Sequence, residues 1–108
     1  MKIYIQFPRS QEFDNAIKSK FSNWGIKKDN EFYYLPSALN DIDDINEHIL
    51  WLLMVLDHHR KFIKTITYSS LNVTCVCKLS AKHKKKAIYL KPQVLALGHL
   101  LGIGIEII

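Results

Sequence analysis

The chain has 108 residues, of which 48% are apolar and 23% charged, with 4 Gly and 3 Pro; this is the composition of one folded domain spanning 1–108 and excludes disordered, collagen-like and low-complexity chains. The longest apolar run, Ile49 to Leu56, has eight residues, against about 20 for a membrane-spanning helix, and the opening residues carry no basic-then-apolar leader pattern, so a cytoplasmic protein with no membrane partner is expected. The net charge of +5 conceals a segregation of the two signs into different stretches of the chain, and two cysteines, Cys75 and Cys77, are too few for a disulfide scaffold or a cysteine-rich zinc site.

Met1 to Phe7 alternates Ile3, Ile5 and Phe7 with Lys2, Tyr4 and Gln6, the period of a half-buried strand, and Pro8 ends it. Ser10 then precedes Phe13, Ile17 and Phe21 at helical spacing, with Glu12 and Asp14 near the start and Lys18 and Lys20 near the end; the charges suit a helix dipole. Turn residues Asn23, Gly25, Asp29 and Asn30 surround Ile26, and Glu31 to Leu35 reads as a short aromatic strand closed by Pro36, as a hairpin or a split strand. A second helix, capped by Asn40 or Asp41, follows with Ile42, Ile45, Ile49, Leu52 and Leu56 and is expected to run to about Phe62. Its apolar face is wide enough to predict a helix sandwiched between other elements.

From Thr65 the pattern turns to β: Thr65 to Ser69 is β-branched and aromatic, and Leu71, Val73, Cys75, Cys77 and Leu79 alternate with Asn72, Thr74, Val76 and Lys78. Ser69-Ser70 reads as a break between strands or as a bulge. Ala81 to Lys86 is expected to form the basic tip of a hairpin into Ala87 to Leu90. Pro92 opens a helix through Leu95, Leu97 and Leu100, Gly102 stops it, and Gly104 to Ile108 forms a last strand. The expected fold class is α+β, an antiparallel or mixed sheet of about five to six strands packed on about three helices.

The charged residues are segregated along the chain. From Asp29 to Asp57 there are seven acids and no Lys or Arg, and from His58 to Lys91 nine bases and no acid. Such blocks either produce two opposite fields on one small domain or pair with each other in space. Asp41, Asp43, Asp44 and Glu47 are expected to present carboxylates at a helix start, and such a row can occupy the phosphate-binding cleft of a basic enzyme. The Lys82, Lys84, Lys85 and Lys86 tract, with His83, is the best candidate for contact with nucleic acid, although only Tyr89 lies near it for stacking. Other constellations have ordinary explanations. His58 and His59 diverge by about 100 degrees on a helix and do not converge on one atom. Asp44 and His48 lack a third metal ligand, Cys75 and Cys77 read as core residues, and the glycines match no phosphate-binding loop. No catalytic residue, metal or cofactor is expected.

The run Glu47-His48-Ile49-Leu50-Trp51-Leu52-Leu53 with Leu56, together with Ile88-Tyr89-Leu90-Lys91-Pro92 and the closing Leu100, Gly102 and Ile103 to Ile107, resembles a broad family of uncharacterised bacterial α+β domains over roughly the second half of the chain. Small chains heavy in Lys, Ile and Asn also resemble the immunity proteins encoded beside polymorphic toxins, including those of contact-dependent growth inhibition. That resemblance implies a non-enzymatic protein, a monomer or weak homodimer, that occludes the C-terminal nuclease domain of a cognate toxin. Charged, aromatic-studded surfaces suit such a task. The expected toxin contacts are Glu31, Tyr33, Asp41, Asp43, Asp44 and Glu47; the alternative is a small nucleic-acid-binding domain using Lys82 to Lys86.

Overall fold

A computed structural model describes residues 1–40 and 42–108; Asp41, one of the expected contacts, lies outside the described residues. The alternation at the start of the chain becomes strand β1 (Lys2–Pro8), with Ile3, Ile5 and Phe7 buried and Lys2 exposed. Four further strands, β2 (Lys27–Lys28), β3 (Phe32–Pro36), β4 (Thr74–Lys78) and β5 (Gly104–Ile107), complete a mixed sheet in the order β2-β3-β1-β4-β5. β1 is central because both its edges are paired antiparallel: Ile5 faces Leu35 of β3 on one side and Cys75 of β4 on the other. β5 joins β4 in parallel, with Cys75 opposite Ile105, and a parallel pair requires a crossover. Helices α4 (Ala81–Lys84) and α5 (Pro92–Leu101) supply it.

One sheet face is covered by helices and carries the core. Ile3, Ile5, Phe7, Tyr33, Leu35, Cys75 and Cys77 pack there with residues of α1 (Asp14–Lys20) and α2 (Ile45–Asp57), including Ile17, Ile49, Leu52, Leu53 and Leu56. Phe7 stacks on Phe21 with centroids 5.6 Å apart. Hydrogen bonding to Cys77 and burial push the Cys75 thiol up, so it sits in the core as a neutral, small apolar group. The opposite face carries Lys2, Tyr4, Gln6, Phe32, Tyr34, Pro36 and Lys78, which remain half-buried or exposed.

The α+β class and the mixed sheet agree with the sequence pattern, and three elements differ. The second helix ends at Asp57, well short of Phe62. Its cap is Asp44, whose carboxylate accepts from the Asn46 N–H at 2.9 Å, so Asp43 and Asp44 precede the helix. Thr65 to Ser69 is no strand, for helix α3 spans Arg60–Tyr68 with Ile63 and Ile66 buried. Their helical spacing with Phe62 outweighs the β preference of Thr65, Ile66 and Thr67, because tertiary burial overrides intrinsic propensity. Ser70, at φ +73°, makes the turn out of it. Finally, the basic hairpin is absent among the described residues: Ser80 precedes α4, Ala87 to Leu90 is irregular, and the free edge of β4 is taken by β5.

Gly102 ends α5 as expected, at φ +74°, and a Cβ there would lie 3.0 Å from the Thr67 Oγ1. Backbone conformation and the close approach of α3 both require glycine at that point.

Candidate functional site

Asn46 and His48 are the buried polar residues among those described, and each holds an irregular segment against the first turn of α2. The Asn46 amide donates to the Tyr89 carbonyl at 2.7 Å and accepts from the Lys91 N–H at 2.8 Å. One side chain thereby satisfies both backbone groups of a segment that has no strand partner. On the other flank, His48 Nε2 lies 2.8 Å from the Ile42 carbonyl and Nδ1 lies 2.7 Å from the Ser37 Oγ. A carbonyl only accepts, so Nε2 carries the proton and the Ser37 hydroxyl donates to Nδ1.

These tethers shape a cleft of about 310 Å³ between the start of α2 and the segment after α4, lined by Asp43, Asp44, Asn46, His83, Lys86 and Tyr89 among others. The acidic and basic blocks of the sequence meet here. His83 Nε2 donates to Asp43 at 2.6 Å and Lys82 Nζ stands 3.6 Å from the other carboxylate oxygen. The His83 hydrogen bond, followed by the charges of His83 and Lys82, holds the Asp43 carboxyl below the usual carboxylate range. On the other side of the His83 ring, Nδ1 lies 2.6 Å from the Ser80 Oγ. Serine, histidine and carboxylate thus stand in the hydrogen-bonding order of an acyl-transfer relay. The Asp43 side chain is 65% exposed, however, and water screens a carboxylate placed so openly.

The expected contacts are distributed unevenly. Asp43, Asp44 and Glu47 are exposed at the start of α2. Tyr33 is only 4% exposed and belongs to the core, where the Arg9 guanidinium lies 5.1 Å from its ring centroid; this removes it as an external contact, because register places it beside Phe7 on the covered face. Glu31 is exposed but stands before β3, whereas the α2 start adjoins Ser37, after β3. The length of the strand separates it from the other acids. Of the lysine tract, Lys82 is engaged by Asp43, and Lys84, Lys85 and Lys86 are exposed with no carboxylate within 4 Å among the described residues. The exposed aromatic beside the acids is Tyr89, and the sequence signal for it is its place before the helix-opening Lys91-Pro92.

His58 and His59 occupy the junction of α2 and α3, and Asp57 is bound by Arg60 at 2.7 Å, not by either imidazole. Burial, then the charges of Lys20 and His58, keep His59 below its ordinary value, and its ring meets Phe21 edge-on with centroids 5.2 Å apart. No cluster of three or more His, Cys, Asp or Glu residues able to hold a metal occurs among the described residues. Among the described residues no helix is long and apolar enough to cross a membrane.

An open mixed sheet, a helical layer on one face and a polar cleft at one helix start define a small α+β domain. The chain belongs to the family described as a domain of unknown function, DUF4279, whose sequence profile matches residues 8–108. That match extends through the first half of the chain, beyond the segments from Glu47 and Ile88 that carry the resemblance in the sequence. No curated protein and no solved structure matches the chain.

Proposed function

We propose that this domain is an immunity-type binding protein that occludes the active site of a toxin's C-terminal nuclease domain, acting in the cytoplasm without catalysis of its own. One observation carries the reading: Asp43 and Asp44 are exposed in the lining of a cleft bordered by Tyr89, which is 70% exposed, and Glu47 is exposed on the first turn of α2. Carboxylates complement the cationic groups with which a nuclease holds phosphate, and an aromatic side chain beside them provides contact area at low entropic cost. Lys82 and His83 offset part of the Asp43 charge, which leaves Asp44 and Glu47 as the principal steering charges.

The test is co-purification with the product of the adjacent upstream gene, combined with growth rescue of cells expressing that product's C-terminal region. A stoichiometric complex and rescued growth support the reading. Asp44→Lys with Glu47→Lys should then slow association and make protection fail at lower salt. Protection that is indifferent to both substitutions removes this cleft as the interface, and absence of both complex and rescue removes the function. A second reading, contact with nucleic acid through the tract, is favoured only by the exposure of Lys84, Lys85 and Lys86. It requires retention on an immobilised nucleic acid that Lys84→Gln, Lys85→Gln and Lys86→Gln abolish.

A further inference from the structure

Strand register assembles, on the sheet face turned away from the helices, a surface that no sequence motif announces. Tyr4 of the central strand and Tyr34 of β3 meet edge-to-face with ring centroids 5.4 Å apart, and Phe32 lies 6.1 Å beyond Tyr34. Lys2 and Lys78 are opposite each other on β1 and β4, and Lys27 of β2 is opposite Tyr34. Together Lys2, Tyr4, Lys27, Tyr34, Pro36 and Lys78 line a groove of about 390 Å³. The lining contains three cations, two phenol rings and no carboxylate. None of the three lysines has a carboxylate within 4 Å among the described residues.

The rings are held in place. Lys78 Nζ lies 5.8 Å from the Tyr4 ring centroid, and the Tyr34 hydroxyl donates to Asp29 at 2.5 Å. Asp29 itself accepts from the N–H groups of Glu31 and Phe32, each at 2.8 Å, so the turn before β3 fixes the carboxylate that fixes Tyr34. That bond, with smaller effects of burial and nearby charge, pushes the Tyr34 hydroxyl up to about 12, leaving a neutral ring near pH 7. Glu106, opposite Val76 on β5, is the carboxylate at the far side of this face, outside the groove lining.

We propose that this open face binds single-stranded nucleic acid, with bases stacked on Tyr4 and Tyr34 and phosphates held by Lys2, Lys27 and Lys78. Fixed aromatic rings surrounded by unpaired lysines match unstacked bases on a charged backbone, whereas an acidic peptide would use the lysines and leave the rings idle. A duplex keeps its base faces stacked internally and cannot offer them to the rings. The inference is independent of the α2 cleft, since it rests on the opposite face of the sheet.

The test is fluorescence anisotropy at low salt with labelled eight-nucleotide oligouridylate and oligothymidylate, a duplex of equal length, and a polyglutamate peptide as competitor. Single strands should bind, more weakly as salt rises, and Tyr4→Leu with Tyr34→Leu should weaken binding about ten-fold or more. Tyr34→Phe, which keeps the ring and loses only the Asp29 bond, should retain most of the binding that Tyr34→Leu loses, and urea unfolding of each variant guards against loss of fold. Lys2→Gln, Lys27→Gln and Lys78→Gln should flatten the salt dependence, while Lys84→Gln, Lys85→Gln and Lys86→Gln should not. No binding by the wild-type protein overturns the proposal, as does binding indifferent to the tyrosine substitutions, equal affinity for duplex, or displacement by polyglutamate at lower concentration than by an unlabelled single strand.

Discussion

The two faces of the sheet are built from the same strands and differ in everything but backbone. On β1, Ile3, Ile5 and Phe7 lie under the helices, while Tyr4 and Gln6, one residue away, remain half-buried on the other side. β3 repeats the contrast one strand over: Tyr33 and Leu35 are buried, Phe32 and Tyr34 are not. Adjacent tyrosines therefore have opposite roles, Tyr33 filling the core and Tyr34 standing in a cationic groove. The comparison teaches that aromatic content alone does not mark a binding surface, because period-two geometry assigns alternate residues to packing and to solvent.

The contrast can be broken or sharpened by substitution. The largest effect is expected on the covered face: Phe7→Ala, removing a fully buried ring that stacks on Phe21, should cost about 3–5 kcal/mol in urea unfolding. A loss below about 1 kcal/mol would mean that the helical layer is not packed as described. The helical layer's attachment is tested by Asn46→Ala, which strands the Tyr89 carbonyl and Lys91 N–H and should cost about 1–3 kcal/mol, with faster amide exchange at Lys91.

On the open face, Tyr34→Leu gives up an edge-to-face pair and a hydroxyl bond at half-exposed positions, and about 1 kcal/mol or less is expected. A cost equal to that of Phe7→Ala would erase the distinction between the faces. The smallest effect concerns His59, whose folded-state value lies below the ordinary 6.5. As pH falls through 6.5 the unfolded chain takes up the proton first, so stability declines toward the depressed value and is unaffected at higher pH. His59→Gln should flatten the dependence of unfolding free energy on pH below 6.5, measured by denaturant titration at pH 7.5 and 5.5; an unchanged slope would place the imidazole in a solvated setting.

Much of this structure was legible in the residues. Ile3, Ile5 and Phe7 mark β1, the run from Ile45 to Leu56 marks α2, and Pro92 with Gly102 brackets α5, because each signal is local: a period, a cap, a backbone preference. Asn46 was overlooked, yet it shares the helical stripe of Ile49, Leu53 and Leu56, and a polar residue on a buried stripe signals a tether. The α3 segment misled because Thr65, Ile66 and Thr67 favour strands while burial of Ile63 and Ile66 decided for helix. The lysine tract misled because a basic hairpin and a basic crossover have the same composition.

By itself the sequence determined the α+β class, the apolar stripes and the segregation of charge, all of which follow from the order of neighbouring residues. Only tertiary structure decided that Asp43 is met by Lys82 and His83 from 40 residues away. Register likewise put Tyr33 inside and grouped Tyr4, Tyr34 and three lysines from four strands outside. The physical reason is that strand order and register are set by the burial of the whole covered face at once. A surface built across strands exists in no segment until that burial has aligned them.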